Sequence, residues 1–321
     1  MKSLLFWTAI ALAASGGTAL AQAQAYPSKQ IRIIVPYPAG AGTDLVARLV
    51  AQKLGEGLGR TVLVENRIGA NGIVGTEAMA KAAPDGYTLG MATPGPITVG
   101  KSWYPNLPYD PERDLAPVIM ANESANVLAI HPSIPARSVK ELVAIAKVRR
   151  LNAAVGAVGS LQHLLTEMLN HEAQVQMVVI PYKGGALAAT EVVGGQTDLL
   201  WSNLPVVMPF IQNGRLRVVA VASTKRTVFL PNVQTMGEAG WPAVVATGWN
   251  GIVVPAGTPK DIIDRLNAEI ARGLSMPDVK ERYANQGLES VAGTPEEFGA
   301  FMRAETAKWA QVIKTAKIKL E

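Results

Sequence analysis

The sequence predicts an α/β protein of two lobes, and three observations predict it. From Tyr26 onward, short β-rich runs alternate with helical stretches, the pattern of a parallel sheet with right-handed crossovers. A second, similar round begins near Val127. The C-terminal part then offers capped helices with no strand after them, and such helices must pack on a sheet already formed.

In the first round, strands are expected at Ile31–Val35, Thr61–Glu65, Thr88–Ala92 and Pro117–Ala121. Helices at about 43–55 and 72–83 fill the gaps, the first with Leu45, Val46, Leu49, Val50 and Leu54 on one face. Residues 94–114 carry five prolines (Pro94, Pro96, Pro105, Pro108 and Pro111) and read as a long loop. The second round opens with strand Val127–Ile130 and a helix whose start, Ser138-Val-Lys-Glu141, has the form of a capping box. Strand Asn152–Val155, a helix from Ser160 to about Asn170, strand Val175–Ile180 and a small helix over 186–193 follow. Strand Asp198–Ser202, a helix over 205–213 ended by Gly214, and strand Leu216–Ala222 complete the round.

After the run Trp249–Val254, helices start at Thr258-Pro259 and at Thr294-Pro295-Glu296-Glu297, each with an N-cap and Pro at the first helical position; the second also reads as a capping box. Packed on the first lobe, they make the chain cross between lobes twice, near 122–127 and 245–250. The expected division is residues 22–126 with 249–321 as one lobe and 127–248 as the other. Two crossings make a hinge.

At the N-terminus, Lys2, the apolar stretch Leu4–Ala14 and the small residues Thr18-Ala19-Leu20-Ala21 read as a secretory signal peptide over residues 1–21, cleaved after Ala21 or else after Ala23 or Ala25. An uncleaved anchor is the alternative. No later segment approaches about 18 uninterrupted apolar residues, so the mature protein is expected in solution outside the inner membrane. The chain has no Cys, which excludes a lipoprotein cysteine and any disulfide. Its formal charge of +5 is scattered, without a run of five like charges, and argues against nucleic-acid binding.

Three strand-to-helix turns carry the chemistry. Residues 35–44, Val-Pro-Tyr-Pro-Ala-Gly-Ala-Gly-Thr-Asp, place glycines and Thr43 at a helix start, where free N–H groups attract anions. The turn has no Lys or Arg, which suits a carboxylate held by neutral donors. Gly156-Ala-Val-Gly159-Ser160 and Pro181-Tyr182-Lys183-Gly184-Gly185 repeat the arrangement in the second lobe. An enzyme would need a nucleophile with a base, paired carboxylates or metal ligands, and the chain is poor in all of them. His163 and His171 lie off-face on one helix, and His131 sits beside Pro132 in a loop. Gly40-x-Gly42 fails as a dinucleotide fingerprint because position 45 is Leu. Neither a cofactor nor a metal is expected.

The motifs together resemble the Bug family, the periplasmic solute-binding proteins of tripartite tricarboxylate transporters. The likeness runs through Pro36-Tyr37-Pro38-Ala39-Gly40, Thr43-Asp44, Glu65-Asn66-Arg67, Gly69-Ala70, Ala83-Pro84-Asp85-Gly86-Tyr87-Thr88-Leu89 and Leu107-Pro108-Tyr109-Asp110. It continues through Gly159-Ser160 with His163-Leu164, Pro181 to Gly185, Gly194-Gly195-Gln196 with Asp198, and Pro255 to Pro259.

The resemblance implies a type II periplasmic-binding-protein fold that closes on a small carboxylate; a di- or tricarboxylate and, from the aromatics expected near the cleft, an aromatic acid are the candidates. It implies a periplasmic monomer that delivers its ligand to the integral membrane subunits of a tripartite carboxylate transporter. A sensor working with a membrane receptor, or a periplasmic enzyme acting on carboxylates, is the alternative.

The resemblance together with positions at strand ends and turns gives a candidate site of Tyr37, Gly40, Thr43, Asp44, Thr93, Gly159, Ser160, His163, Tyr182, Lys183, Gly184, Trp201, Ser202, Asn203 and Trp249. Gly40, Thr43 and Ser160 are the expected ligand contacts. Asp44 is read as a cap or brace, because a carboxylate facing an anion would repel it.

Three departures from the family pattern bear on specificity. Ala41 and Ala157 replace customary glycines, and Trp201-Ser202-Asn203 lacks an acid that many relatives carry, which predicts a ligand without a free amine. Tyr37, Tyr182, Trp201 and Trp249 could stack on a ligand or simply fill core volume.

Overall fold

The computed structural model describes residues 26–315, and the expected signal peptide lies outside them. Ten strands form one continuous sheet in the order β2 (Val62–Asn66), β1 (Ile31–Val35), β3 (Thr88–Ala92), β9 (Thr247–Pro255), β4 (Leu115–Ile130), β7 (Leu199–Asn203), β5 (Asn152–Val155) and β6 (Val178–Pro181), with β8 (Arg217–Val221) and β10 (Leu288–Ser290) also on β4. The first half is built from β1 (Ile31–Val35), α1 (Gly42–Leu58), β2 (Val62–Asn66), α2 (Ile73–Ala80) and β3 (Thr88–Ala92). β1 runs parallel to β2 and β3, and its Ile and Val residues are buried on both faces, with Arg32 the one exposed residue of the strand. On α1, Val46, Leu49, Val50 and Leu54 face the core as expected, but Leu45 is 41% exposed and turns away from it.

The chain departs from expectation between 94 and 130. Residues 95–99 form a π-helical turn, followed by the short helices α3 (Gly100–Trp103) and α4 (Pro111–Asp114), so the proline-rich segment is largely ordered. Thr98 Oγ1 and the Tyr109 hydroxyl donate to the carbonyls of Pro94 and Pro96, which have no N–H to spend in return. The two strands expected at 117–121 and 127–130 are one 16-residue strand, β4 (Leu115–Ile130). Its first part pairs antiparallel with β9 (Thr247–Pro255) and with β10 (Leu288–Ser290). Residues from Asn126 onward pair with β7 (Leu199–Asn203) and β8 (Arg217–Val221). The sheet is therefore mixed, parallel within each half and antiparallel where the halves join through β4 and β9.

The second half carries α5 (Val139–Val148), β5 (Asn152–Val155), α6 (Leu161–Ala173), β6 (Val178–Pro181), α7 (Gly185–Val193) and α8 (Leu204–Gln212). β5 is parallel to both β6 and β7. Ser138 Oγ accepts from the N–H of Glu141, while the Glu141 carboxylate accepts from Arg137 rather than from Ser138, so only half of the expected capping box forms. A full box appears instead at the unpredicted α9 (Met236–Ala239), between Thr235 and Glu238. The C-terminal part holds α10 (Lys260–Leu274), the unpredicted α11 (Pro277–Asn285) and α12 (Pro295–Thr315). The expected box at Thr294 and Glu297 is present. Thr258, in contrast, donates to the Pro255 carbonyl and caps nothing, α10 starting one residue later.

Candidate functional site

A cleft of about 620 Å³ lies between the two halves of the sheet, and the first turns of four helices line it. α1 contributes Ala41, Gly42 and Thr43; α6 contributes Ser160, Leu161 and Gln162; α7 contributes Gly184 to Ala186; α8 contributes Asn203, Pro205 and Val206. Each end presents backbone donors without helical partners. No Asp or Glu lines the cleft, and its one charged residue is Lys183. Lys183 is exposed at the rim, and no partner among the described residues engages its ammonium group.

In the first lobe, the N-cap of α1 is Ala41, which has no side chain to cap with, so the N–H groups of Gly42 and Thr43 stay free. The expected contact Gly40 also lines the cleft, but its N–H donates to Asp44 Oδ2 at 2.9 Å. Asp44 itself is 1% exposed and stands behind the helix start, not in the cleft. Its carboxylate accepts from Gly40, from Arg48 Nε (2.9 Å) and Nη2 (3.1 Å), and from Asn66 Nδ2 (2.8 Å). Burial alone would raise its pKa, but those donors outweigh it and hold the carboxyl below the usual range. Asp44 is a brace, and its place among the ligand residues is corrected. The Tyr37 hydroxyl lies between the Asn71 carbonyl and Thr93 Oγ1, and burial pushes its pKa up to about 12.

Behind Thr43, Gln162, Asn203 and Asn250, which line the cleft, lies a layer of polar, uncharged side chains from β4. On β4, Asn122, Ser124 and Asn126 share one face by strand alternation. Thr43 Oγ1 donates to Asn250 Oδ1 (2.8 Å), and Asn250 Nδ2 donates to Asn122 Oδ1 (3.0 Å). Farther along, Asn126 Nδ2 donates to the Ala246 carbonyl (3.0 Å), and Gln162 Nε2 donates to both Asn126 Oδ1 (3.0 Å) and Asn203 Oδ1 (3.1 Å). Gly248 on β9 makes room for this arrangement, since a Cβ there would stand 2.7 Å from Ser124 Oγ and 2.8 Å from Asn203 Oδ1.

In the second lobe, Ser160 caps α6 by accepting from the His163 N–H (3.2 Å), which leaves its own hydroxyl proton free. Gly159 and His163 are corrected, for neither lines the cleft. Gly159 holds φ +76°, and a Cβ there would overlap the Tyr104 hydroxyl, which donates to the Val158 carbonyl (3.0 Å). His163 Nδ1 accepts from the Gly159 N–H (3.2 Å), and its ring lies 5.1 Å from that of Trp103, centroid to centroid. Burial depresses its pKa to about 4.

Tyr182, Gly184, Ser202 and Asn203 do reach the cleft. Trp201 and Trp249 also border the cleft, but each is only 1% exposed, and Trp249 packs edge-to-face with Phe298 and Phe301. Sequence reasoning passed over Gln162, Asn122, Asn126 and Asn250. The polar run Asn122-Glu-Ser-Ala-Asn126 reads locally as a connection, and only its pairing partners show it to be a strand. Among the described residues, no cluster of His, Asp and Glu could hold a metal, and no helix is long and apolar enough to cross a membrane.

Two α/β lobes joined by paired strands, with helix N-termini turned into the cleft between them, define a solute-binding protein of the periplasmic-binding-protein fold. Residues 46–318 match the tripartite tricarboxylate transporter family receptor, and the chain belongs to that family. It is 38% identical over 324 residues to Protein BugT of Bordetella pertussis, covering 100% of this chain and 99% of BugT. Among solved structures, R. palustris Rpa4515 with adipate has a TM-score of 0.88 at 34% identity, over 92% of this chain and 99% of that one. MatC of Rhodopseudomonas palustris with bound malate has a TM-score of 0.85 at 28% identity, over 90% and 100%.

Proposed function

We propose that this chain captures a small carboxylic acid in the periplasm by closing its lobes, and delivers it to the membrane subunits of a tripartite transporter. One observation carries the reading. Four helix N-termini converge on a cleft lined by one lysine and no acid. Such a surface stabilises an anion with neutral, preoriented donors and gives an ammonium group no counter-charge. The adipate and malate bound by two similar proteins agree with that chemistry. Trp201 and Trp249 are each only 1% exposed and leave little ring surface for stacking, which favours an aliphatic acid over an aromatic one. Closure would bend the paired strands β4 and β9, the connection shared by the two sheet halves.

The test is a thermal-shift screen of aliphatic di- and tricarboxylates, benzoates, aspartate and glutamate. Binding at a hundredfold excess over Kd stabilises the fold by about 2.7 kcal/mol, enough to read as a clear rise in Tm. At least one aliphatic acid should raise Tm, and the amino acids should not. Tight binding of aspartate would remove the argument from the missing acid, and silence across the panel would remove the carboxylate reading.

A further inference from the structure

Resting on the carboxylate reading, we infer that the second-lobe wall selects a hydroxylated acid, through Asn203 Nδ2 as donor and Gln162 Oε1 as acceptor. The orientation of both amides is fixed by a chain of hydrogen bonds that starts at a backbone carbonyl. The Ala246 carbonyl can only accept, so the Asn126 atom 3.0 Å from it must be Nδ2. Asn126 Oδ1 then faces Gln162 at 3.0 Å, which makes the Gln162 atom Nε2. That same Nε2 lies 3.1 Å from Asn203, whose facing atom is therefore Oδ1.

The remaining amide atoms, Asn203 Nδ2 and Gln162 Oε1, have no partner among the described residues, and both residues line the cleft. Asn203 is the N-cap of α8, yet it makes no capping hydrogen bond, having committed its oxygen to Gln162. A donor and an acceptor on two hydrogen-bonded amides that both line the cleft suit a group that both accepts and donates. A hydroxyl does both. A carboxylate satisfies the donor but meets the Gln162 oxygen as a second acceptor, and a methylene leaves both Asn203 Nδ2 and Gln162 Oε1 unpaired. The acid's own carboxylate is left to the helix starts and Lys183.

The experiment is calorimetric titration of hydroxy and deoxy acids in pairs: malate with succinate, 2-hydroxyglutarate with glutarate, and 4-hydroxybenzoate with benzoate. The wild-type protein should bind the hydroxy member of at least one pair about tenfold or more tightly, as a site with committed polar groups discriminates against the analogue that lacks their partner. In Asn203→Ala and in Gln162→Leu that ratio should fall to near one, and in Asn203→Asp it should fall as well, since Asp keeps the bond to Gln162 but loses the donor. The ratio is the readout, so a general loss of affinity or stability in a variant does not imitate the result. Equal binding within every pair, or a ratio that survives both Asn203→Ala and Gln162→Leu, overturns the hydroxyl inference and leaves the carboxylate reading intact. Absence of binding by every acid overturns both.

Discussion

The two hydroxyls at the cleft, Thr43 and Ser160, differ in where their protons go. Thr43 spends its proton on Asn250, whereas Ser160 accepts from a backbone N–H and keeps its proton for a ligand oxygen. A carboxylate needs donors, so Ser160→Ala should weaken binding by about 1–3 kcal/mol, the cost of an unpaired buried acceptor. Thr43→Ala should instead cost about 1 kcal/mol of stability with little effect on affinity, because the N–H groups of α1 remain. Titration calorimetry with chemical denaturation separates the two, and unchanged affinity in Ser160→Ala would take that residue out of the contact set. The types of residue at this site are legible in the sequence, because glycine and hydroxyl residues at strand-to-helix junctions announce anion-friendly turns. Their proton bookkeeping is not, since Asn250 lies 207 positions from Thr43.

At the scale of elements, α6 shows how burial sets a pH dependence. Its His163 is packed against Trp103, accepts from the Gly159 N–H, and has Nε2 3.9 Å from Glu167, so the neutral ring with its proton on Nε2 fits the site. The folded-state pKa of about 4 lies below the ordinary value near 6.5, so the unfolded chain binds more protons between those limits. Stability should be fully present above about pH 6.5 and fall as pH drops toward 4, by at most about 3 kcal/mol from this group. Urea unfolding at pH 7.5 and 5.0 should show the loss in the wild type and a smaller loss in His163→Gln, whose amide oxygen can still accept from Gly159. Equal losses in both would assign the pH dependence elsewhere. Most strands and helices were legible because periodicity and caps are local signals. β4 was not, because a polar stretch continues as a strand only when β9, β7, β8 and β10 arrive to pair with it, and that information is remote in the chain.

On the scale of the whole molecule, α12 ties the lobes together in a way the chain order conceals. Capped helices at the C-terminus suggest packing on the first lobe, and Phe298 and Met302 do pack there, beside Trp249 and Met120. About two turns beyond Met302 the same helix inserts Trp309, fully buried, into the core that holds Val99, Trp103, Leu161, Leu164 and Trp201. Its indole N–H donates to Glu305 (2.9 Å), and Lys308 lies over its ring. Trp309 therefore belongs to a core shared by the C-terminal helix, α3 and the second lobe. Trp309→Ala should cost about 3–5 kcal/mol through the cavity it opens. Hydrogen exchange locates that cost: amides of α6 and β7 should lose protection along with those of α12, although more than a hundred residues separate α6 from Trp309 in the sequence. Loss confined to α12 would show that the helix is merely an appendage of the first lobe, and that the lobes are coupled through β4 and β9 alone.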